Sequence, residues 1–228
     1  MADQDQQSDA QRALYGYASP GESRWPSAIA VAVALVLQAT LPGRLTIGPW
    51  WVIPALEGLL LIPLMVANPS VISRESKDMR LLSIALIALV NAANVVSLGL
   101  LIRFLVDGSK VNGKELILSA VGIWLTQVIV FGLWYWELDR GGPVARTSED
   151  HPPPDLLFPQ MENPAVTSGR WWPSTLDYLY VSLTNSMAFS PTDTMPLTTR
   201  AKALMSAQSL ISLATIAIVG ARAVNILS

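Results

Sequence analysis

The chain has 228 residues, of which 51% are hydrophobic and only 14% charged, with a formal net charge of −2. Such a composition lies outside the range of an ordinary soluble domain, and it lacks the basic excess that a nucleic-acid partner would require. With no Cys and a single histidine, His151, the chain can form neither disulfides nor a thiolate or histidine-cluster metal centre, so no metal and no cofactor are expected.

Residues 1–25 read as a polar tail in which Asp3, Asp5 and Asp9 stand among Gln residues, a composition that predicts disorder. No cationic start or small-residue cleavage site precedes the first apolar run, so a cleaved signal peptide is not expected. Ser8 to Ala18 could form a short interfacial helix carrying Leu14, Tyr15 and Tyr17, with Gly16 and Pro20 working against it.

Four apolar runs follow and define a transmembrane region over residues 26–138. Pro26–Leu41 and Trp50–Val66 are each somewhat shorter than the ~20 residues a perpendicular span needs. They are separated by the turn-rich stretch Pro42–Pro49. They read as two short spans, with a hairpin dipping into one leaflet as the alternative. Pro26 suits a first helical turn, where its missing N–H would have had no partner anyway. Leu81–Leu105 and Leu116–Leu138 are long enough to cross with some tilt, and Val106–Glu115 between them is turn chemistry. Trp134, Tyr135, Trp136, Trp171 and Trp172 suit headgroup level.

Asp139–Arg170 carries Pro152, Pro153 and Pro154 with the acids Glu149, Asp150, Asp155 and Glu162, and reads as an extended, water-exposed extramembrane loop. Either an inert linker or a cap over a vestibule would have this composition, the linker being the simpler reading.

Residues 171–228 differ in pattern. Thr175–Met187 is too short and too polar to span. It breaks into Ala188, Phe189, Ser190, Pro191, Thr192, Asp193, Thr194, Met195, Pro196 and Leu197, and a long helix follows from about Thr199 to Ile226. Irregular backbone at membrane depth is tolerated only where protein or water satisfies its N–H and C=O groups. A short helix, a polar break and a full span therefore suggest a lined cavity, though an ordinary turn outside the membrane would look similar.

Several polar residues lie within the apolar runs. Glu57, between Pro54 and Pro63, marks either an ion or proton route or a paired acid, with Arg103 and Lys202 as candidate partners. Asn91 and Asn94 share a helix face among small residues and read as packing contacts in preference to a substrate site, as do Gln127 and Gln208. Positive charge does not fix orientation, because Arg74, Lys77 and Arg80 are balanced by Arg103, Lys110 and Lys114. No phosphate-binding Gly loop, Gly-x-Ser-x-Gly elbow or His-Glu-x-x-His pair is present, so an enzyme is not expected.

The run Tyr180, Val181, Ser182, Leu183, Thr184, followed by Asp193, Thr194, Met195, Pro196, Leu197, Thr198, Thr199 and Arg200, resembles the pore module of potassium channels. In that family a pore helix enters a Thr-Val-Gly-Tyr-Gly filter, then Asp, an apolar pair, Pro, a residue and Thr. The Asp, Pro and Thr fall at Asp193, Pro196 and Thr198. Both filter glycines are missing from Ala188, Phe189, Ser190, Pro191 and Thr192, with Pro191 at the Tyr position, so a ring of inward carbonyls is not implied. The same segment, with Leu204, Ser212, Arg222, Asn225 and Leu227, is similar to bacterial multi-pass membrane proteins of unknown function. The resemblance covers the last quarter of the chain.

Taken with the resemblance, the expectation is an all-α integral membrane protein of a bacterial inner membrane, with about five transmembrane helices and one re-entrant, pore-loop-like helix. The implied function is a passive ion pore without the potassium selectivity of that family, lined by Thr184, Ser190, Thr192, Asp193 and Thr194. Its partners would be the lipid bilayer, inorganic ions and further copies of the chain, four being favoured because one loop cannot surround a path. The alternatives are a non-conducting scaffold or accessory subunit and a small proton-coupled transporter using Glu57.

Overall fold

The computed structural model describes residues 17–46, 48–67, 77–107, 113–163, 165, 167, 170–188, 190 and 193–227. Among these, seven α-helices carry nearly all regular structure: α1 (Trp25–Ala39), α2 (Val52–Ala67), α3 (Lys77–Val106), α4 (Gly113–Leu138), α5 (Pro159–Glu162), α6 (Thr175–Ala188) and α7 (Thr199–Leu227). Two strands of two residues, β1 (Leu156–Leu157) and β2 (Met195–Pro196), pair antiparallel with Leu156 opposite Pro196. The fold is thus all-α. Residues 8–16 of the expected helix over Ser8–Ala18 and the connections around Arg74 and Lys110 lie outside the described residues, while Tyr17 and Ala18 are not helical.

Local chemistry accounts for the helix starts. Pro26 sits in the first turn of α1, where a missing N–H costs nothing. Asp177 reaches back to the start of α6, where the Ser174 amide and hydroxyl both donate to its Oδ2 at 2.7 Å, which supplies one half of a capping box. Thr198 caps α7 by accepting from the Ala201 amide at 3.2 Å.

Helix α4 is the axis of the bundle and packs against α1, α3, α6 and α7. Phe131, Tyr135 and Trp136 on one side of it join Phe158, Met161, Tyr178 and Met205 in a buried cluster. Val130 and Leu133 on the other side meet Ala34, Leu86 and Val90. The approach of α6 to α4 is closest at Gly132, where a Cβ would stand 2.7 Å from Leu179 Cδ2 and 3.0 Å from Leu179 Cα. A side chain at position 132 therefore collides with backbone, which cannot yield as a rotamer can.

The outer faces of the bundle are rich in apolar side chains, and polar groups are buried inside it beside the hydrophobic clusters. Its outer faces show Ile29, Val33 and Val36 on α1, Leu118 and Val121 on α4, and Leu210, Leu213 and Ile216 on α7, while Gln127, Ser182, Asn185 and Gln208 are buried. Two stretches, Asp78–Val106 and Gly113–Gly141, are long and apolar enough to cross a bilayer. Helix α1 and Val52–Ile62 are apolar but shorter, about 22 Å for the 15 residues of α1 against a hydrocarbon thickness of ~30 Å. The last helix has the expected length and turns Gln208, Ser212 and Thr215 inward.

The 139–170 segment departs from the expected extended, water-exposed linker. It folds back as two 3-10 turns, β1 and α5, and buries Asp139, Arg140, Arg146, Asp155, Leu156, Phe158 and Met161. The three prolines read as extended chain, but the acids and arginines around them are consumed by long-range pairing that composition does not reveal.

The close α4–α6 crossing is directly testable. Gly132→Ala should lower the stability of the purified protein in detergent by about 1–3 kcal/mol, as overpacking against backbone does, whereas Gly220→Ala, with nothing within 4 Å of its added Cβ, should leave the thermal midpoint unchanged or slightly raised.

Candidate functional site

The chain from Trp171 to the start of α7 makes an excursion alongside α4 and comes back. Tyr178 lies against Asp139 just beyond the C-terminal end of α4, Leu179 lies against Gly132, and the Ser182 hydroxyl donates to the Val128 carbonyl at 2.6 Å. Ser212 bridges the Ser186 carbonyl, to which it donates at 2.7 Å, and Trp124, from which it accepts at 3.0 Å. Helix α6 therefore runs antiparallel to α4 for about 21 Å, 14 residues at 1.5 Å each. Met195 and Pro196 are back beside Leu157 and Leu156, and α7 begins at the end of α4 from which α6 set out, Arg200 donating to the Leu138 carbonyl at 3.0 Å. About seven residue steps from Ala188 to Met195 can reach up to ~25 Å, enough to recover the depth of α6.

A buried polar plug holds both ends of this unit. Asp139, 1% exposed, accepts on Oδ1 from the amides of Asp155 (2.8 Å) and Leu156 (3.3 Å) and on Oδ2 from the Tyr178 hydroxyl (2.6 Å) and Arg140 Nε (3.0 Å). Asp155 passes the connection on, accepting from Thr198 Oγ1 and Arg200 Nη2 at 2.5 Å each and, through its carbonyl, from the Leu197 amide at 2.8 Å. Phe158 packs edge-on against Tyr178 at 5.5 Å and tilted against Trp171 at 5.4 Å.

Arg146 forms the second half of the plug. Its Nη1 donates to the carbonyls of Trp136 (2.7 Å) and Asp139 (2.9 Å), satisfying acceptors that the end of α4 leaves open. Its Nε and Nη2 grip Glu22 at 2.8 and 3.2 Å, and Glu22 also accepts from Trp136 Nε1 at 2.5 Å. Burial by itself would lower the pKa of Arg146, but its charged neighbours outweigh burial and the pKa is raised. Because Tyr178 is fully buried and donates its proton to Asp139, it acts as a neutral phenol, and Glu22 and Asp139 are the physical cause. The chain reaches this arrangement through Arg140, Gly141 and Gly142, all at positive φ. At Gly142 a Cβ would lie 2.9 Å from the Glu137 carbonyl oxygen, so only glycine fits.

Deeper in the bundle, Gln208 joins three helices. Its Nε2 donates to the Ser182 carbonyl (3.0 Å) and to the hydroxyls of Ser182 (2.6 Å) and Ser186 (2.7 Å). Its Oε1 accepts from Asn185 Nδ2 (2.9 Å) and from the Tyr135 hydroxyl, and its carbonyl accepts from Gln127 Nε2 (2.9 Å). The polar face of α6 is thereby used entirely inside the chain, leaving Leu176, Tyr180 and Met187 exposed.

The residues singled out from sequence are distributed unevenly. Ser190 and Asp193 are exposed on the returning segment, and Thr192 lies outside the described residues. Thr194 is buried, 5% exposed, so it does not present a hydroxyl alongside them. The Thr184 proton is committed to the carbonyls of Tyr180 and Val181 in its own helix. Thr198 is the cap of α7. In the rest of the bundle, Asn94 donates to the Ile123 carbonyl at 3.1 Å and so joins α3 to α4, while Asn91 is half-buried. Glu57 is fully buried and has neither expected partner: Arg103 lies 3.6 Å from Asp107, and Lys202 is exposed. Sequence reasoning missed Glu22, Asp139, Arg140 and Arg146. The one local signal was the cluster Glu137, Asp139, Arg140 at the close of an apolar run, where charge has to be paired or hydrated.

The plug makes a clear energetic prediction. Arg146→Met leaves Glu22 buried without its cation and strips donors from two helix-end carbonyls, which should cost about 3–5 kcal/mol in detergent unfolding experiments. The exposed Arg44–Glu115 pair is a suitable control, since Arg44→Met should cost no more than about 1 kcal/mol.

No family model, no curated protein and no solved structure matches the chain.

Proposed function

We propose that the chain resides in a bilayer and that several copies assemble into a passive ion pore, each copy contributing the segment between α6 and α7 to a shared mouth. The observation that carries this reading is the return of the chain to its starting end: a half-length helix, a polar return and a full-length helix, with both ends fastened to the plug at Asp139 and Asp155. Backbone that turns at membrane depth is tolerated where it is buried in protein or faces water, and among the described residues of the return Ser190 and Asp193 are exposed polar groups. The apolar outer faces of α1, α4 and α7 support a bilayer environment, because a monomer in water rarely exposes large contiguous apolar patches.

Selectivity for potassium through a glycine-built carbonyl ring is not part of the proposal, since Ser190, Pro191 and Thr192 replace that backbone. A ring of Asp193 carboxylates, one per copy, would instead attract cations and disfavour anions at the mouth. Four copies follow the potassium-channel resemblance, and cyclic closure is the usual arrangement for identical subunits.

A non-conducting scaffold is the second reading, favoured by the apolar exposed face of α6 at Leu176, Tyr180 and Met187, which suits lipid or another helix better than an aqueous path.

Two measurements test the proposal. Cysteines introduced at positions 172 and 198 in vesicles should be labelled from the same side; labelling from opposite sides would make α6 a complete span and remove the pore reading. Purified protein in liposomes should pass small cations, and Asp193→Asn should reduce the cation-over-anion preference several-fold while native mass spectrometry shows an unchanged oligomer. Absence of flux from a monodisperse wild-type assembly leaves the scaffold.

A further inference from the structure

A cavity of about 220 Å³ lies between the end of α1, the turn that follows it, the start of α2 and the middle of α3. It takes no part in the unit built by α6 and α7. Its walls are mostly apolar, with Ile53, Leu89 and Ala93 among them, and none of its lining residues is charged. Trp50, more than half exposed, stands at its rim.

Two buried polar side chains line this volume, Gln38 of α1 (5% exposed) and Ser97 of α3 (4% exposed). Gln38 Nε2 donates to the Val90 carbonyl at 3.1 Å, but no described residue donates to its Oε1, and the Ser97 hydroxyl has no partner among the described residues. Neither oxygen is enclosed by protein, in contrast to Asn94 Oδ1 on the same helix, which is sealed and unbonded. Because both residues are otherwise buried and line the cavity, that opening is to the cavity. The third polar wall, Thr46, donates its own proton to the Gly43 carbonyl at 3.0 Å. The Val90 carbonyl points along α3 toward residue 94, which sets the Gln38 amide about one helical turn, ~5 Å, from the level of Ser97. A bridging water would serve this pair but takes up only ~30 Å³, so most of the apolar volume would stay unfilled.

We propose that this cavity binds a small uncharged lipophilic alcohol or phenol, whose hydroxyl donates to Gln38 Oε1 and accepts from Ser97 Oγ while its apolar body lies beside Trp50, Ile53 and Ala93. An apolar cavity of ~150 Å³ accepts a benzene molecule, so this one has room for a substituted ring. One open acceptor beside one open hydroxyl selects a ligand hydroxyl, which serves both at once and keeps the bonds of any water it displaces. A charged ligand would find no counter-ion on these walls and would carry its desolvation cost, and a purely apolar one would leave both groups unmet. The proposal stands apart from the pore reading and holds whether or not the protein conducts.

The test uses the full chain in detergent at neutral pH, titrated with 4-bromophenol and with its isostere 4-bromotoluene, each counted as a mole fraction in the micelle. Bromine quenches indole fluorescence on contact, and the Trp50 share is the quenching lost in Trp50→Phe. The phenol should half-saturate that share at a concentration about three- to tenfold below the isostere, the ratio that a net hydrogen bond supplies. Ser97→Ala should reduce this preference at least about twofold, and Ala93→Leu, which fills the cavity, should weaken both ligands. Equal half-saturation of phenol and isostere, quenching by the phenol that never saturates, or a preference unchanged in Ser97→Ala overturns the proposal. Should Ser97→Ala fail to fold, Ala93→Leu decides: saturable quenching lost on filling the cavity supports the site, and saturable quenching retained refutes it.

Discussion

The carboxylate of Asp139 is the constraint on which the rest of the structure depends. It is buried and accepts four hydrogen bonds from four different residues, two backbone amides, a phenol and a guanidinium. A buried carboxylate with fewer donors would carry the desolvation cost of its empty lone pairs, typically ~1–3 kcal/mol for each group left unmade and more where charge is involved. The four donors come from the end of α4, the fold-back after it and α6, so satisfying one side chain fixes three parts of the chain at once. Asp155, held through its amide, then positions the start of α7 with its own carboxylate.

Stability and positioning are separate consequences of this arrangement. Buried ion pairs recover little more than their desolvation cost, and apolar residues of similar shape often stabilise as well or better. What the pairs at Glu22–Arg146 and Asp139–Arg140 provide is a unique geometry: a displaced α6 would leave Tyr178, Ser182 and Asn185 without partners. The Gln208 contacts act in the same way deeper in the bundle. In a hydrocarbon surrounding, apolar helix faces have no preference between a neighbour and lipid, so hydrogen bonds of roughly 0.6 kcal/mol each and close approaches such as Gly132 against Leu179 decide which helices meet.

The parts of this design that were legible in the sequence are those set by local pattern. Runs of apolar residues located α3 and α4, and the change from a short polar segment to a long helix located α6, the break and α7. The Ser174–Asp177 contact was there to be read from spacing alone. The plug was not legible, because its pairs are remote: Asp139 meets Asp155 across a Pro-rich segment whose composition resembles a linker, and Glu22 meets Arg146 from a tail whose composition resembles disorder. Glu57 shows the opposite failure. Its burial was foreseeable from its place in an apolar run, but the cations expected to pair with it, Arg103 and Lys202, are drawn to an adjacent acid and to the surface.

The fastening of α6 also limits how a conducting assembly of this chain would open. Its start is held by the Ser174–Asp177 contact and the Tyr178–Asp139 bond, its middle by Gly132 and Val128, and its far end by Gln208 and Ser212. Moving it as a rigid rod would break all of these together, whereas tilting it about one end would drive Leu179 into the backbone of α4. Among the described residues, the side chains of Ser190 and Asp193 on the returning segment and of Leu176, Tyr180 and Met187 on the outer face of α6 are exposed and carry no such bonds. A change in pore width would therefore arise between copies, by sliding at those apolar faces, with each copy's α4, α6 and α7 remaining one solid unit.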